Sequence, residues 1–145
     1  MNLVVDASVV VKWLVVEPET EKAEALLELC RLRKYDSVAP ELLVAEVGGV
    51  LWKRVRQGTM TASQAEFQFD RFKRIRPILK PLLDLMGQAL KLALVHHHSI
   101  YDCLYVALAR EAQCDLVTAD EKLVRAFSPR HPNVKLLRTW SSQSI

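Results

Sequence analysis

Apolar residues along the chain fall into two patterns: short continuous runs, and longer stretches at helical spacing. The run Asn2–Val5 is rich in β-branched residues and stops at Asp6, which is typical of a strand buried on both faces of a parallel sheet. Further strands are predicted at 37–39, 115–118 and 134–137, and residues 78–79 between two prolines predict a short strand or an extended linker. Because helical stretches separate these runs, the sequence predicts an α/β fold with a central parallel sheet covered on both faces.

The helical stretches are bounded by prolines, a glycine and capping residues. Pro40 is expected in the first turn of a helix that runs to about Gln57, and Thr61 or Ser63 is expected to cap the next one. The Gly48–Gly49 pair costs the first of these helices roughly 1 kcal/mol per glycine relative to alanine, so we expect another backbone to come close to it. The other helices are expected at 7–16, at 19–34, at 82–96, after a cap at Ser99, and at 121–127.

Composition narrows the class of protein without identifying it. Half of the 145 residues are hydrophobic and only four are glycine, which predicts one domain over residues 1–140 and a frayed tail at 141–145. The formal charge of +3 permits a polyanionic partner but does not require one. The three cysteines form no C-x-x-C pair, which argues against a structural zinc site and favours reduced thiols. With no basic leader and no apolar run near the ~18 residues of a membrane span, we expect a soluble, cytoplasmic protein with no membrane partner.

Four acidic residues, far apart in sequence, fall where a shared site would form. Asp6 ends the first predicted strand and Asp120 follows the strand at 115–118, while Glu46 and Asp102 lie in the first two turns of helices. In open α/β sheets, ligand sites gather at the carboxyl ends of the strands. We therefore expect the four carboxylates to converge in one cleft.

Each acid also has a simpler explanation. Asp6 and Asp120 can cap the helices that follow them, and Asp102 can complete a capping box with Ser99. Glu46 resists such an explanation best, because it lies beside an apolar stripe where an unpaired carboxylate is costly to bury.

Taken together, the acids predict a metal site. Crowded carboxylates repel one another and raise each other's pKa values, and a divalent cation relieves that repulsion. An all-oxygen site suits Mg²⁺ or Mn²⁺ rather than zinc, and such a metal can activate water for hydrolysis of a phosphodiester. Ser8 and Thr118 add hydroxyl groups beside Asp6 and Asp120.

Four motifs give the chain a family resemblance. They are V-V-D-A-S at Val4–Ser8, A-E-V-G-G-V-L-W around Glu46, S-I-Y-D-C-L-Y-V-A-L-A at Ser99–Ala109, and L-V-T-A-D-E-K-L at Leu116–Leu123. With the acids in this order, the chain resembles PIN-domain proteins over nearly its whole length. It is most similar to the VapC-like toxins of bacterial and archaeal toxin–antitoxin pairs.

The resemblance implies a three-layer α/β/α PIN fold and an endoribonuclease activity that depends on Mg²⁺ or Mn²⁺. It also implies a homodimer that is inhibited by a co-encoded antitoxin protein. Asp6, Glu46, Asp102 and Asp120 match the acidic metal-site positions of the family. Thr118 matches the Ser/Thr that helps to hold a metal-bound water or an acid, and Ser8 follows the first acid in the similar place.

For the basic and aromatic residues the sequence indicates only general roles. Lys12, near the first acid, is a candidate for binding RNA phosphates, as are the basic clusters at 53–56 and 71–76, although a solvated helix face is the default for each cluster. The aromatic residues at 13, 52, 67, 69 and 72 are expected in the core or in a dimer contact. The helices at 19–34 and 61–73 are candidate dimer surfaces.

The histidine run His96–His98 departs from the family, in which a residue such as Gly commonly precedes the motif serine. Adjacent residues point in different directions, so the three cannot bind one metal together, and the simplest role is favourable charge at a helix C-terminus. A substrate contact or a pH effect on binding is the alternative.

The acidic residues are also compatible with three other functions. A haloacid-dehalogenase type of chemistry needs an acid two residues after Asp6, where this chain has Ser8. A receiver domain needs an exposed phosphoacceptor Asp after its second predicted strand, which this chain lacks. A PIN-like module that binds RNA or a protein without cleaving it is the third alternative.

Overall fold

A computed structural model describes residues 1–142 of the chain, and within these residues five parallel strands form one sheet. The strand order across the sheet is β3-β2-β1-β4-β5, and every neighbouring pair is parallel. The strands are β1 (Asn2–Val5), β2 (Asp36–Pro40), β3 (Ile78–Lys80), β4 (Leu116–Thr118) and β5 (Val134–Leu136).

Helices cover both faces of the sheet. In the first layer, α1 packs against α2 and α3, and α3 packs against α4; in the other, α5 packs against α6, which lies on β1 and β2. The predicted three-layer α/β/α arrangement is confirmed. The helices are α1 (Ala7–Leu14), α2 (Thr20–Arg31), α3 (Leu42–Arg56), α4 (Ala62–Ile75), α5 (Leu82–His96), α6 (Ile100–Ala112) and α7 (Glu121–Phe127).

The core is centred on β1 and α6. Val4 and Val5 of β1 have no exposed surface, and α6 is buried without interruption over residues 103–109. A helix that is apolar on all sides must lie inside the molecule. This burial holds α6 against the sheet and leaves its first turn, which contains Asp102, at the edge of the core.

The path of the chain creates a crevice beside β1. From β1 the chain moves to β2 and β3 on one side, and then crosses to β4 and β5 on the other. In open α/β sheets, the carboxyl ends of the two strands at such a reversal border the ligand site. Here those strands are β1, which is followed by Asp6, and β4, which ends at Thr118.

Most of the predicted elements are confirmed, and the differences lie at their ends. The bounds of β1, α5 and α7 match the sequence prediction, and Thr61 rather than Ser63 caps α4 through a capping box with Gln64. The placement of Pro40 in the first turn of a helix is wrong. Pro40 instead extends β2 and pairs with Lys80, and the helix begins two residues later.

The bounds of two helices and the surroundings of the glycine pair also differ from the sequence prediction. The first helix ends at Leu14, because Val15 is already extended, and the second covers only Thr20–Arg31. Among residues 1–142, a Cβ atom at Gly48 or Gly49 would meet nothing within 4 Å, so the expected close backbone is not found where their side chains would lie. In the expected tail at 141–145, the first two residues lie outside helices and strands, and residues 143–145 lie outside the described part of the chain.

No helix among residues 1–142 is both long enough and apolar enough to cross a bilayer.

The turn between α5 and α6 contains a backbone conformation that favours glycine. His97 ends α5 with φ 51° and ψ 46°, in the left-handed region, where a Cβ atom is crowded against the backbone. We expect His97→Gly to raise the free energy of unfolding by roughly 0.5–1 kcal/mol, measured by urea denaturation. His96→Gly, one residue earlier and inside the helix, is the control and should lower it; a loss of stability in His97→Gly would contradict the prediction.

Candidate metal centre

Asp6 lies at the switch point of the sheet and is held by two hydroxyl groups. Its side chain is nearly buried, with the residue only 7% exposed. The Ser8 hydroxyl donates to Oδ1 and the Thr118 hydroxyl donates to Oδ2, each at 2.5 Å, and the backbone N–H of Val9 also donates to Oδ1. Asp6 therefore caps α1, as its simpler explanation proposed, and at the same time joins α1 to the end of β4.

The surroundings of Asp6 disfavour its charge. Burial raises the pKa of this carboxyl from 3.8 to about 6, although the hydrogen bonds from Ser8, Thr118 and Val9 act in the opposite direction. The negative charge of Asp102 raises the pKa further. A cation beside Asp6 would reverse this balance.

Ser8 and Thr118 also organise the turn that leads to Asp120. Their hydroxyl oxygens are 3.3 Å apart, and they accept the backbone N–H groups of Ala119, at 2.9 Å, and Asp120, at 3.0 Å. Two hydroxyl groups thus connect the first acid to the backbone of the last. The sequence analysis predicted both of them as neighbours of the acids.

Glu46 faces the same region from α3 and is bound by Tyr105 of α6. The Tyr105 hydroxyl donates to Glu46 Oε1 at 2.6 Å. Burial raises the pKa of Glu46, the hydrogen bond from Tyr105 lowers it, and the charge of Asp102 raises it again. Burial, followed by the charge of Glu46, raises the pKa of Tyr105, so this phenol stays a proton donor.

Tyr105 is a site residue that the sequence analysis missed. It lies three residues after Asp102 on α6 and therefore shares a helix face with it. Its spacing from Asp102 was a usable signal, because a buried tyrosine hydroxyl nearly always finds a polar partner.

Asp102 stands at the first turn of α6, and its partner is His98. The two side chains meet at 2.8 Å between His98 Nε2 and Asp102 Oδ2. Ser99 caps the helix by accepting the N–H of Tyr101, without the capping box that the sequence suggested for Asp102. The charge of Asp102 raises the pKa values of both Asp6 and Glu46, so Asp102 interacts electrostatically with each of them.

Asp120 has a different environment from the other three acids. Its Oδ1 accepts the backbone N–H groups of Lys122 and Leu123, so it caps α7 in the way that its simpler explanation predicted. It is linked to Asp6 only indirectly, through Thr118.

The carboxylate oxygens of the four acids suit a hard divalent cation, but the side chains are not arranged as a complete metal site. Within residues 1–142, no three His, Cys, Asp or Glu side chains lie close enough together to hold one metal ion. Each of the four carboxylates instead accepts hydrogen bonds from protein groups. Asp6, Glu46 and Asp102 still interact electrostatically, and Mg²⁺ and Mn²⁺ prefer carboxylate oxygens of this kind.

The ammonium group of Lys12 is already paired with an acid of the protein. The residue is 8% exposed, and its ammonium pairs with Glu17 at 3.4 Å. Glu17 also binds Arg54 of α3 at 2.6 Å. A contact of Lys12 with RNA remains a prediction, and it would require the exchange of this ion pair.

The aromatic residues divide between the core and the surface. Trp13 is buried and donates its indole N–H to the carbonyl of Ala23, and Phe72 is buried as well. Trp52 and Phe67 are each 61% exposed, and the Arg56 guanidinium lies 4.8 Å from the centre of a Trp52 ring. A cavity of about 600 Å³ beside Trp52 is lined by residues of α3 and α4.

Comparisons with known proteins agree with this architecture. The family described as PIN domain matches residues 3–127. The chain is 33% identical over 130 residues to Ribonuclease VapC3 of Pyrobaculum aerophilum, covering 88% of this chain and 95% of that protein. It is 34% identical over 140 residues to Ribonuclease VapC1 of Mycobacterium tuberculosis, covering 93% and 97%.

Two solved structures share the fold at lower sequence identity. PAE2754 from Pyrobaculum aerophilum matches with a TM-score of 0.69 and 22% identity, over 96% of this chain and 94% of that one. FitAcB from Neisseria gonorrhoeae matches with a TM-score of 0.58 and 18% identity, over 86% and 91%.

The raised pKa of Asp6 leads to a prediction about stability. The folded state binds this proton more tightly than the unfolded chain does, so the metal-free protein loses stability as the pH rises from about 4 to about 6. Asp6→Asn removes the titrating group, so its stability relative to the metal-free parent should increase by up to roughly 3 kcal/mol between pH 4 and pH 7. Urea denaturation in a chelator at the two pH values measures this change, and the comparison between pH values removes the pH-independent effect of the lost acceptor oxygen.

Titrating groups that do not interact with Asp6 contribute equally to both proteins, so their effects cancel in this comparison. Exposed Asp84 offers the control Asp84→Asn, which should change stability little at either pH. An Asp6→Asn variant whose stability relative to the parent is the same at pH 4 and pH 7 without metal would contradict the prediction.

Proposed function

The chain belongs to the PIN-domain family, and we propose that it is a metal-dependent endoribonuclease, the toxin of a toxin–antitoxin pair. The observation that carries the proposal is the environment of Asp6. Burial at the switch point, and then the charge of Asp102, raise the pKa of this carboxyl, so a bound cation would stabilise its charged form, which two hydroxyl groups already hold in place.

The four acids have separate roles in this proposal. Asp6 and Asp102 hold Mg²⁺ or Mn²⁺ directly, Glu46 binds the metal or positions the attacking water, and Asp120 serves a second metal. When bound, the metal supplies an activated water and stabilises the charge that develops on a phosphate oxygen.

The other residues of the site keep the acids in position. Ser8 and Thr118 fix both oxygens of Asp6, so that the carboxylate does not need to reorient when a cation arrives. The Tyr105 hydroxyl fixes one oxygen of Glu46 and leaves the other for the metal or the water. Preorganisation of this kind lowers the cost of binding and catalysis.

RNA as the substrate rests on the relatives. The two ribonucleases named above align with nearly the whole chain at about one third identity. The formal charge of +3 and the basic residues at the end of α3 are compatible with binding to a phosphate backbone. A cytoplasmic location is part of the proposal, since the substrate is found there and free thiols persist there.

A cognate antitoxin is the proposed protein partner. The exposed Trp52 and Phe67, together with the cavity between α3 and α4, give this side of the molecule an apolar surface that suits a protein. The antitoxin would restrain the nuclease until it is released.

Homodimerisation is proposed through α5 rather than through the helices that the sequence suggested. Leu83, Met86, Leu90 and Leu94 are exposed by 87, 38, 51 and 68%, and they follow one another at intervals of three and four residues. Such spacing forms a continuous apolar stripe on one helix face. A second copy of the same stripe would cover it in a symmetric dimer.

Cleavage of RNA tests the main proposal. The parent, incubated with structured RNAs such as transfer RNAs and ribosomal fragments, should cut at least one of them with Mn²⁺ or Mg²⁺ and none in a chelator. Asp6→Asn should lower the rate on the order of 10³-fold, because several kcal/mol of transition-state stabilisation depend on the metal. The products are measured on denaturing gels.

The control is Asp84→Asn, which makes the same chemical change at an exposed position on α5. It should cut at the parental rate. Parental cleavage by Asp6→Asn with added Mn²⁺ would refute the site, and an absence of metal binding by calorimetry would favour a PIN-like module that binds without cutting.

Light scattering after size-exclusion chromatography tests the dimer. The parent should elute with twice the mass of one chain, and Leu90→Glu should shift it to one chain, because the charge would be buried at the centre of the stripe. Phe67→Glu on α4 is the matched control and should stay dimeric. A monomeric parent, or a Leu90→Glu dimer, would refute the interface.

A further inference from the structure

His98 lies in the turn between α5 and α6, and its side chain makes a hydrogen bond to a residue of α6. α5 ends at His96, His97 turns the chain in the left-handed conformation, and His98 follows immediately before the cap of α6. Its Nε2 atom meets Asp102 Oδ2 at 2.8 Å. Favourable charge at the end of α5, the simplest role for the histidine run, does not account for this bond, because the ring pairs with an acid of the next helix.

The chemistry of a carboxylate assigns the donor in this hydrogen bond. An ionised carboxylate can only accept hydrogen bonds, so Nε2–H of His98 donates to Oδ2 of Asp102. Among residues 1–142 no hydrogen bond is made to Oδ1 of Asp102, and this second oxygen is left for another ligand. The histidine therefore orients the carboxylate without occupying it.

The ring of His98 is itself held in place by α7. It stands edge-on to Phe127 with 5.2 Å between ring centres, and Phe127 has no exposed surface. His96 packs on the same phenylalanine at 4.4 Å. Since α7 begins directly after Asp120, Phe127 connects the packing of His98 to the helix that the fourth acid caps.

We propose that His98 is a positioning residue that holds the Asp102 carboxylate in the orientation needed to bind the divalent metal. This inference rests on the proposed metal-dependent function and adds a residue outside the four acids. Partners that orient a metal ligand by a hydrogen bond typically change metal affinity 10–100-fold when they are removed.

Mn²⁺ titration by calorimetry, with the full chain and three variants, tests the proposal. His98→Leu removes the donor and retains an apolar group against Phe127. His98→Gln restores an N–H at the same number of bonds from the backbone. His96→Leu is the matched control. It changes a neighbouring imidazole that packs on the same phenylalanine but makes no hydrogen bond to Asp102.

We expect His98→Leu to weaken Mn²⁺ binding at least roughly tenfold, His98→Gln to recover most of the affinity, and His96→Leu to bind like the parent. Thermal unfolding of each metal-free variant shows whether it is folded. In an Asp102→Asn background, His98→Leu should cause no further loss, since the group that it positions is already changed.

The proposal would be overturned if His98→Leu binds Mn²⁺ as tightly as the parent does, or if His96→Leu weakens binding equally. It would also be overturned if His98→Leu weakens binding in the Asp102→Asn background as much as it does in the parent. The proposal would also be overturned if His98→Leu does not fold while His98→Gln folds but binds Mn²⁺ no better than Asp102→Asn does. If the parent binds Mn²⁺ and only the His98 variants behave unexpectedly, the proposed function stands. If the parent binds no Mn²⁺, the metal-dependent function and this inference both fail.

Discussion

The pairing of β1 between β2 and β4 is the constraint on which the site depends. A central parallel strand must be apolar on both faces, and Leu3, Val4 and Val5 meet that requirement. The first polar side chain after such a strand emerges at the crevice where the direction of the chain reverses. Asp6 is that side chain, and its distance from solvent follows from the depth of the strand that carries it.

A buried carboxylate in this position is costly, and the surrounding residues reduce the cost only in part. Ser8, Thr118 and the backbone of Val9 stabilise the charged form of Asp6, while burial and Asp102 oppose it. The balance leaves the pKa raised. Local instability that a ligand relieves is common at functional sites, and a positive charge is what would relieve it here.

The helices bring the other acids to the crevice for reasons unrelated to charge. α6 is fixed by burial along residues 103–109, so its first turn can carry Asp102 to the edge of the core. α3 presents Glu46 to Tyr105 of α6. His98 reaches Asp102 because His97 adopts a left-handed turn, which aims the next residue back toward the site. Packing thus sets where each acid lies, and hydrogen bonds set how it is oriented.

The sequence by itself determined the alternation of strands and helices, the position of the elements to within a few residues, and the four acids as candidates, because hydrophobic periodicity and capping are local properties. Pro40 shows the limit of that information: its place in β2 depends on pairing with β3, which lies far away in sequence. Only the tertiary structure revealed that Asp6 is clamped by Thr118, that Tyr105 and His98 orient two of the acids, that Lys12 is held by Glu17, and that α5 exposes an apolar stripe. Each of these depends on contacts between segments that no local pattern records, since the energy of a side chain is fixed by the neighbours that the fold brings to it.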